Sequence, residues 1–279
     1  MKMMAFNNAR SLSLQALADL MTQAFSNYVA GRLTFDVEAF AEWLWREDAH
    51  LNLSQIAYID QKAVGLAMMA RRGNVSRLAA MGVAPDMQNQ GIGKALFRHI
   101  LNQARTRGDR KVVLECFEQN ESGMRLYRGA DFHTVRRLYG YRCDHLLARQ
   151  SPWIEEVESA EVARQVELHG LADLPWQATG NALLKYGPPC AGFRLEQACT
   201  LLSDPRQPIV TIHALVVEKQ AQGSGQARAL LAGLAAKFPG KIWHVRTICP
   251  EEIGEAVFEK IGFRREPLHQ VQMHKVLSP

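Results

Sequence analysis

The chain has no run of about eighteen consecutive apolar residues, the length a membrane-spanning helix needs, so no membrane role is expected. Residues 1–30 also lack the continuous apolar core of a signal peptide. Cysteine is scarce. Cys116, Cys143, Cys190, Cys199 and Cys249 form no paired spacing, and their odd number fits reduced thiols in the cytoplasm. No His/Cys pattern has metal-ligand spacing, so no metal is expected; His99 and His133 stand alone, on a helix and at a strand start, and read as packing or surface residues. Charge is not blocked. The formal net charge is +5, yet basic residues are scattered, with pairs such as Arg71-Arg72 and Arg136-Arg137 and no stacking-aromatic motif, which argues against nucleic acid as a partner.

What is present is enough apolar sequence for two cores. With 279 residues and 47% hydrophobic content, the chain divides into halves of ordinary domain size. A pattern also recurs. Gln88-Asn89-Gln90-Gly91-Ile92-Gly93 is answered 132 residues later, 88 against 220, by Gln220-Ala221-Gln222-Gly223-Ser224-Gly225. Two tandem copies are expected, 1–147 and 152–279, with residues 145–155 as the linker.

The first copy reads as a buried strand over 76–83, a turn at Pro85-Asp86, and a helix over 94–107 with Ala95, Leu96, Ile100, Leu101 and Ala104 at helical spacing, ended by Gly108. A strand, a glycine turn and a helix N-terminus aim backbone N–H groups and the positive end of the helix dipole at one point, which suits a pyrophosphate. Gly91 and Gly93 keep side chains out of its way. Two glycines alone are an ordinary strand-to-helix turn, and the ordered run Val83, Pro85, Gln88, Gly91, Gly93 carries more. No Lys-Ser or Lys-Thr follows as in a P-loop, and the third glycine of a dinucleotide fingerprint is missing.

This run resembles the acyl-CoA loop of the GNAT acetyltransferase superfamily. The strand 111–117 is followed by Asn120 and Tyr127, seven apart on a short helix, which is similar to the second signature of that family. The resemblance implies an α/β fold of two tandem GNAT-like domains, each a mixed, mostly antiparallel sheet flanked by helices. It implies acetyl-CoA as donor substrate, held by Met81, Val83, Gln88, Asn89, Gln90, Gly91, Ile92, Gly93, Lys94 and Asn120. In the family the tyrosine hydroxyl faces the thioester sulfur, so Tyr127 is the expected acid, and Glu115, where members acting on protein N-terminal amines carry a base, is the expected base. Cys116 alternates to the other face of its strand and is expected to be a buried bystander.

An amine attacking a thioester must lose a proton and the departing thiolate must gain one. Deprotonating a lysine-like amine at pH 7 costs about 4.6 kcal/mol, an α-amine only about 1 pH unit's worth, so a base matters more for the first.

The rest of the first copy is read as a strand at 3–7, helices at 12–28 and 37–45, strands at 51–59 and 63–70, and a final strand pair at 132–137 and 139–143. Phe25, Tyr28, Phe35, Trp43 and Trp45 fall where the family places its amine-binding wall, and read either as core or as a substrate cage. The second copy keeps the scaffold and loses the chemistry: beyond the loop the offset becomes 131, turning Asn120 into Glu251, Tyr127 into Phe258 and Glu115 into Arg246. It is either a degenerate prop or a second acyl-CoA site. Residues 1–150 carry twenty basic and fourteen acidic residues against thirteen and fourteen in 151–279, so the half with the intact motif is the one that favours an anionic ligand. The copy from 153 to 202 shows helical patches at 160–169 and 181–186 without a match to the first. The reading reached is an N-acetyltransferase acting on a primary amine of a small molecule or peptide, in a monomeric chain whose copies pack as a pseudo-dimer. The alternative is an acyl-CoA-binding regulator or scaffold without turnover.

Overall fold

The computed structural model describes residues 3–150 and 153–277. The expected second-domain start at 152 and the middle of the expected linker lie outside the described residues. Two compact units form: Met1–Val135 together with Val271–Pro279, and Arg136–Gln270.

The first unit runs β1 Met4–Asn8, α1 Leu14–Ala24, α2 Val37–Arg46, β2 Gln55–Ile59, β3 Lys62–Arg72, β4 Val75–Val83, α3 Ile92–Thr106, β5 Lys111–Phe117 and α4 Glu121–Arg128. Its helices start where side chains can cap them: Ser13 accepts from the Ala16 N–H, Asp36 from Ala39 and Asn120 from Gly123. The strands lie in the order β1-β2-β3-β4-β5, all antiparallel except the parallel pair β4–β5. Asp60 and Gln61 join β2 to β3, both at positive φ, which matches the twist of a two-residue hairpin. The strand expected from residue 51 begins only at Gln55, because 51–54 form a turn.

Alternation along the strands divides the core. Ile56, Leu66 and Met68 pack with Leu17, Met21 and Phe40 of α1 and α2. On the opposite face Ala57, Ala67, Met69, Val112 and Leu114 pack with Leu96, Phe97 and Met124 of α3 and α4. Val271, Met273 and Leu277 complete that second layer, with residues 271–276 beside β5 and Leu277 donating its N–H to the Arg110 carbonyl at 2.9 Å.

After α4 comes β6 His133–Cys143, one continuous strand where two were expected. The second unit then follows the element order of the first: β7 Glu155–Val157, α5 Ser159–His169, α6 Gly180–Leu183, β8 Ala191–Leu195, β9 Ala198–Leu202, β10 Ile209–Val217, α7 Gln226–Lys237 and β11 Ile242–Pro250. Its opening, which had no visible match in sequence, thus repeats β1 to β3 with their two helices. Glu251–Ile253 (α8), a π-helical turn at Gly254–Phe258 and Glu259–Ile261 (α9) stand where α4 does, and β12 Arg264–Val276 ends the chain's regular structure.

The units do not coincide with the expected division 1–147 and 152–279. Residues 138–143 pair with β11, and 136–143 belong to the second unit, while 271–277 belong to the first. The repeat follows chain order, whereas compactness follows strand pairing, and the last strand of each copy completes the unit of the other.

Candidate active site

The site is built where β4 and β5 part. They pair from Val75–Lys111 to Leu78–Leu114 and no further, whereas β3 stays paired to β4 as far as Gly65–Val83. A bulge opposite Met68/Met69 marks the change. Residues 79–83 therefore expose one backbone edge to a wedge that opens toward the loop at 84–91.

That loop ends at Gly91, the N-cap of α3, with φ 79° and no side chain capping the helix. The N–H groups of the first turn consequently have no intrahelical acceptor and point at the wedge's mouth. Positive φ explains Gly91, since other residues adopt it at a cost of about 1–2 kcal/mol. A Cβ at Gly93 would lie 3.7 Å from both Met81 and Val83, an ordinary contact. Met81 and Val83 thus share one face beneath α3, as expected. Gln88 fastens the loop to the strand through Nε2 to the Val83 carbonyl at 3.0 Å, and Gln90 Nε2 reaches the Asp86 carbonyl at 3.4 Å. Asn89 is left-handed and Lys94 is exposed on the first turn, so its ammonium can meet an anion. The Ile92 side chain is buried in the core, leaving only its backbone for a ligand.

Asn120 closes the other side. Its Oδ1 accepts from the Gly123 N–H at 3.1 Å and from Ser122 Oγ at 3.0 Å, which commits the oxygen to capping α4 and leaves Nδ2 for a ligand. At the other end of α4, Tyr127 lies edge-on to Phe97 at 5.1 Å between ring centres. Burial first, then the neighbouring Cys116 and Tyr28, push its phenol well above the ordinary range, so it stays protonated. Tyr28 is likewise raised, by burial and by Cys116, and its ring meets Phe117 edge-on at 5.9 Å. Neither hydroxyl has a hydrogen-bond partner among the described residues. Cys116 is the buried bystander expected: burial pushes its thiol up to about 12.

Glu115 sits one residue beyond the last β4–β5 pair, bordering the wedge as expected, but it is not a free carboxylate. Its side chain is 2% exposed and accepts from Arg77 Nε at 2.8 Å, while Arg77 Nη1 donates to Glu47 at 2.6 Å. Burial alone would lower the Arg77 guanidinium; its two carboxylates outweigh that and raise it. Sequence reasoning missed Arg77 and Glu47. The signal was an arginine inside an apolar strand, which has to find acidic partners.

Of the aromatic group, Phe25, Tyr28, Phe35 and Trp43 pack in the α1–α2 core and Trp45 is exposed; Tyr28 also reaches Phe117 of β5. His99 stacks on Phe6 at 4.6 Å. The adjacent arginine pairs are consumed locally: Arg71 by Asp109, Arg72 by Asp48 and Arg136 by Glu252. No group of metal-binding side chains occurs among the described residues. No described helix is long and apolar enough to cross a membrane.

In the second unit β10 and β11 part in the same way, after Ile212–Val245. The loop correspondence is corrected, however. Gly225, not Gly223, caps α7, and Gln222 Nε2 reaches the Val217 carbonyl at 3.1 Å as Gln88 reaches Val83. Gln88 therefore matches Gln222, an offset of 134. The helix start decides the register; two glycines two apart in each copy disguised it. From β5 and β11 onward the expected offset of 131 holds, Val75–Lys111 answering Ile209–Ile242, because α7 is shorter than α3.

Residues 14–132 match the acetyltransferase (GNAT) family. They form a GNAT domain. A 61-residue stretch, 21% of the chain, is 36% identical to the [Ribosomal protein bS18]-alanine N-acetyltransferase of Escherichia coli (strain K12), and the chain spans 41% of the length of that relative. The fold of the whole chain is similar to a GCN5-related N-acetyltransferase from Sphaerobacter thermophilus (TM-score 0.67, 14% identity, covering 100% of this chain and 96% of that one). It is also similar to a tandem GNAT protein from the clavulanic acid biosynthesis pathway (TM-score 0.64, 13% identity, 100% and 99%). The GNAT-like fold therefore extends through the second unit, beyond the segment that matches the family in sequence.

Proposed function

We propose that the GNAT domain of the first unit is an N-acetyltransferase that moves an acetyl group from acetyl-CoA to a primary amine by direct attack. The observation that carries this is the uncapped start of α3 at Gly91 beside the open edge of residues 79–83, with Tyr127 in the core cluster against which Met81 and Val83 of that edge pack. The residues fit the donor: first-turn N–H groups and Lys94 for the diphosphate, the strand edge and Asn120 Nδ2 for the amide-bearing arm. Acetyl-CoA supplies the activated acyl group. Tyr127 returns a proton to the departing thiolate, and Glu115, or a water it orders, takes one from the amine.

The ion pair to Arg77 already engages the Glu115 carboxylate, which suits an acceptor that needs little help from a base. An α-amine fits better than a lysine side chain, being only about 1 unit above neutral pH against about 3.4 units. The named activity of the bacterial relative supports the same acceptor class. We place the protein in the cytoplasm on its free cysteines. The test is to incubate the full chain with acetyl-CoA and a set of amines, including peptides with free α-amines, and follow free thiol. Acetyl-CoA binding without thiol release from any amine would favour the regulator reading instead.

A further inference from the structure

The wedge of the second unit opens into a pocket of about 630 Å³, open solvent at its mouth included. Its wall is apolar, with Val166, Leu174, Ile212, Val216, Ile253 and Phe258 among its residues, and it contains no aspartate or glutamate. One cation enters it. Arg246 donates from Nη1 to the Tyr186 hydroxyl at 3.2 Å, and no carboxylate among the described residues lies within ion-pair distance. Tyr186 is itself held by stacking on His213 at 4.1 Å. Phe258 offers no proton where Tyr127 stands in the first unit, and burial pushes the Cys249 thiol up to about 12.

The arrangement inverts that of the first unit. Glu115 and its excess of buried carboxylate stand where the second unit has an unneutralised guanidinium. A guanidinium facing an apolar space is satisfied best by a carboxylate, through charge-assisted and bidentate hydrogen bonds. We propose that this cavity is a non-catalytic binding site for a small carboxylate with an apolar body, Arg246 taking the carboxylate and the β10–β11 wedge the body. This inference is independent of the acetyl transfer proposed for the first unit.

The probe is hexanoate, titrated calorimetrically into the full chain beside butanoate, hexan-1-ol and hexylamine. Expected are one hexanoate per chain, affinity rising about fourfold per methylene from butanoate, and hexan-1-ol weaker by about tenfold or more. Arg246→Gln should lose about tenfold, and Ala214→Leu should also weaken binding by filling the wedge while the guanidinium stays. Gly91→Asp, in the other unit, should bind hexanoate as the parent does, which separates this site from the proposed acetyl-CoA loop. Equal binding of hexanoate and hexan-1-ol, or undiminished binding by folded Arg246→Gln and Ala214→Leu, overturns the proposal. So does a second equivalent of acetyl-CoA that displaces hexanoate, since the cavity would then be a second coenzyme cleft.

Discussion

Arg77 Nε donates to Glu115 at 2.8 Å with both side chains 2% exposed, so the carboxylate nearest the wedge is bound before any acceptor arrives. Removing the guanidinium leaves Glu115 and Glu47 buried without it. Arg77→Met should cost about 3–5 kcal/mol in a urea unfolding titration, and Arg77→Met combined with Glu47→Gln and Glu115→Gln should recover part of that. If Arg77→Met unfolds at the parent midpoint, the cluster is not the structural element described.

Tyr127→Phe should lower kcat by about a hundredfold while acetyl-CoA affinity changes little, because the hydroxyl is proposed to act on the thiolate and bonds to none of the described residues. The raised phenol adds a second expectation: the parent's pH–rate profile should show no fall from Tyr127 ionisation across the ordinary phenol range near pH 10. Turnover by Tyr127→Phe equal to the parent's would remove this residue from the mechanism.

Gly91→Asp places both a Cβ at φ 79° and a negative charge at the mouth of α3. Acetyl-CoA affinity should drop by more than about tenfold, and stability by about 1–2 kcal/mol. Gly91→Ala should show the stability loss with a smaller binding defect, which equilibrium dialysis beside thermal unfolding can resolve.

Asp109 is buried and accepts from Ser76 and Arg71 while pairing with Arg107. Burial opposes its charge, but these three donors win and hold the carboxyl below its ordinary value. Its contribution is therefore present above the unfolded-state pKa and is lost as pH falls through the lower folded one. Asp109→Ala should cost about 2–3 kcal/mol at pH 7, and the gap from the parent should narrow as unfolding is measured at pH values below about 4. A gap independent of pH would assign the loss to packing.

The strand-to-helix turn at Gly91 was legible because its requirements are local: a strand end, glycine at a positive φ, and a helix start within a few residues. Asn120 and Tyr127 were legible for the same reason, since a short helix fixes their separation. Arg77 with Glu47 and Glu115 was not, because the partners come from α2 and β5 and only folding brings them to one strand. The second loop was read two residues early because Gly223 and Gly225 offer the same spacing, and only the start of α7 shows which one caps a helix. The exchange of final strands left no trace in the repeat: β6 and β12 occupy corresponding places in the two copies, and nothing in their composition names the edge each will join.

That exchange sets an order of assembly during synthesis. Val271, Met273 and Leu277 fill the layer beneath α3 and α4, yet they leave the ribosome only after every residue of the second unit. The half that carries Tyr127 is thus the earlier to be translated and the later to be sealed, and a nascent chain that has not yet reached Val271 holds that core open.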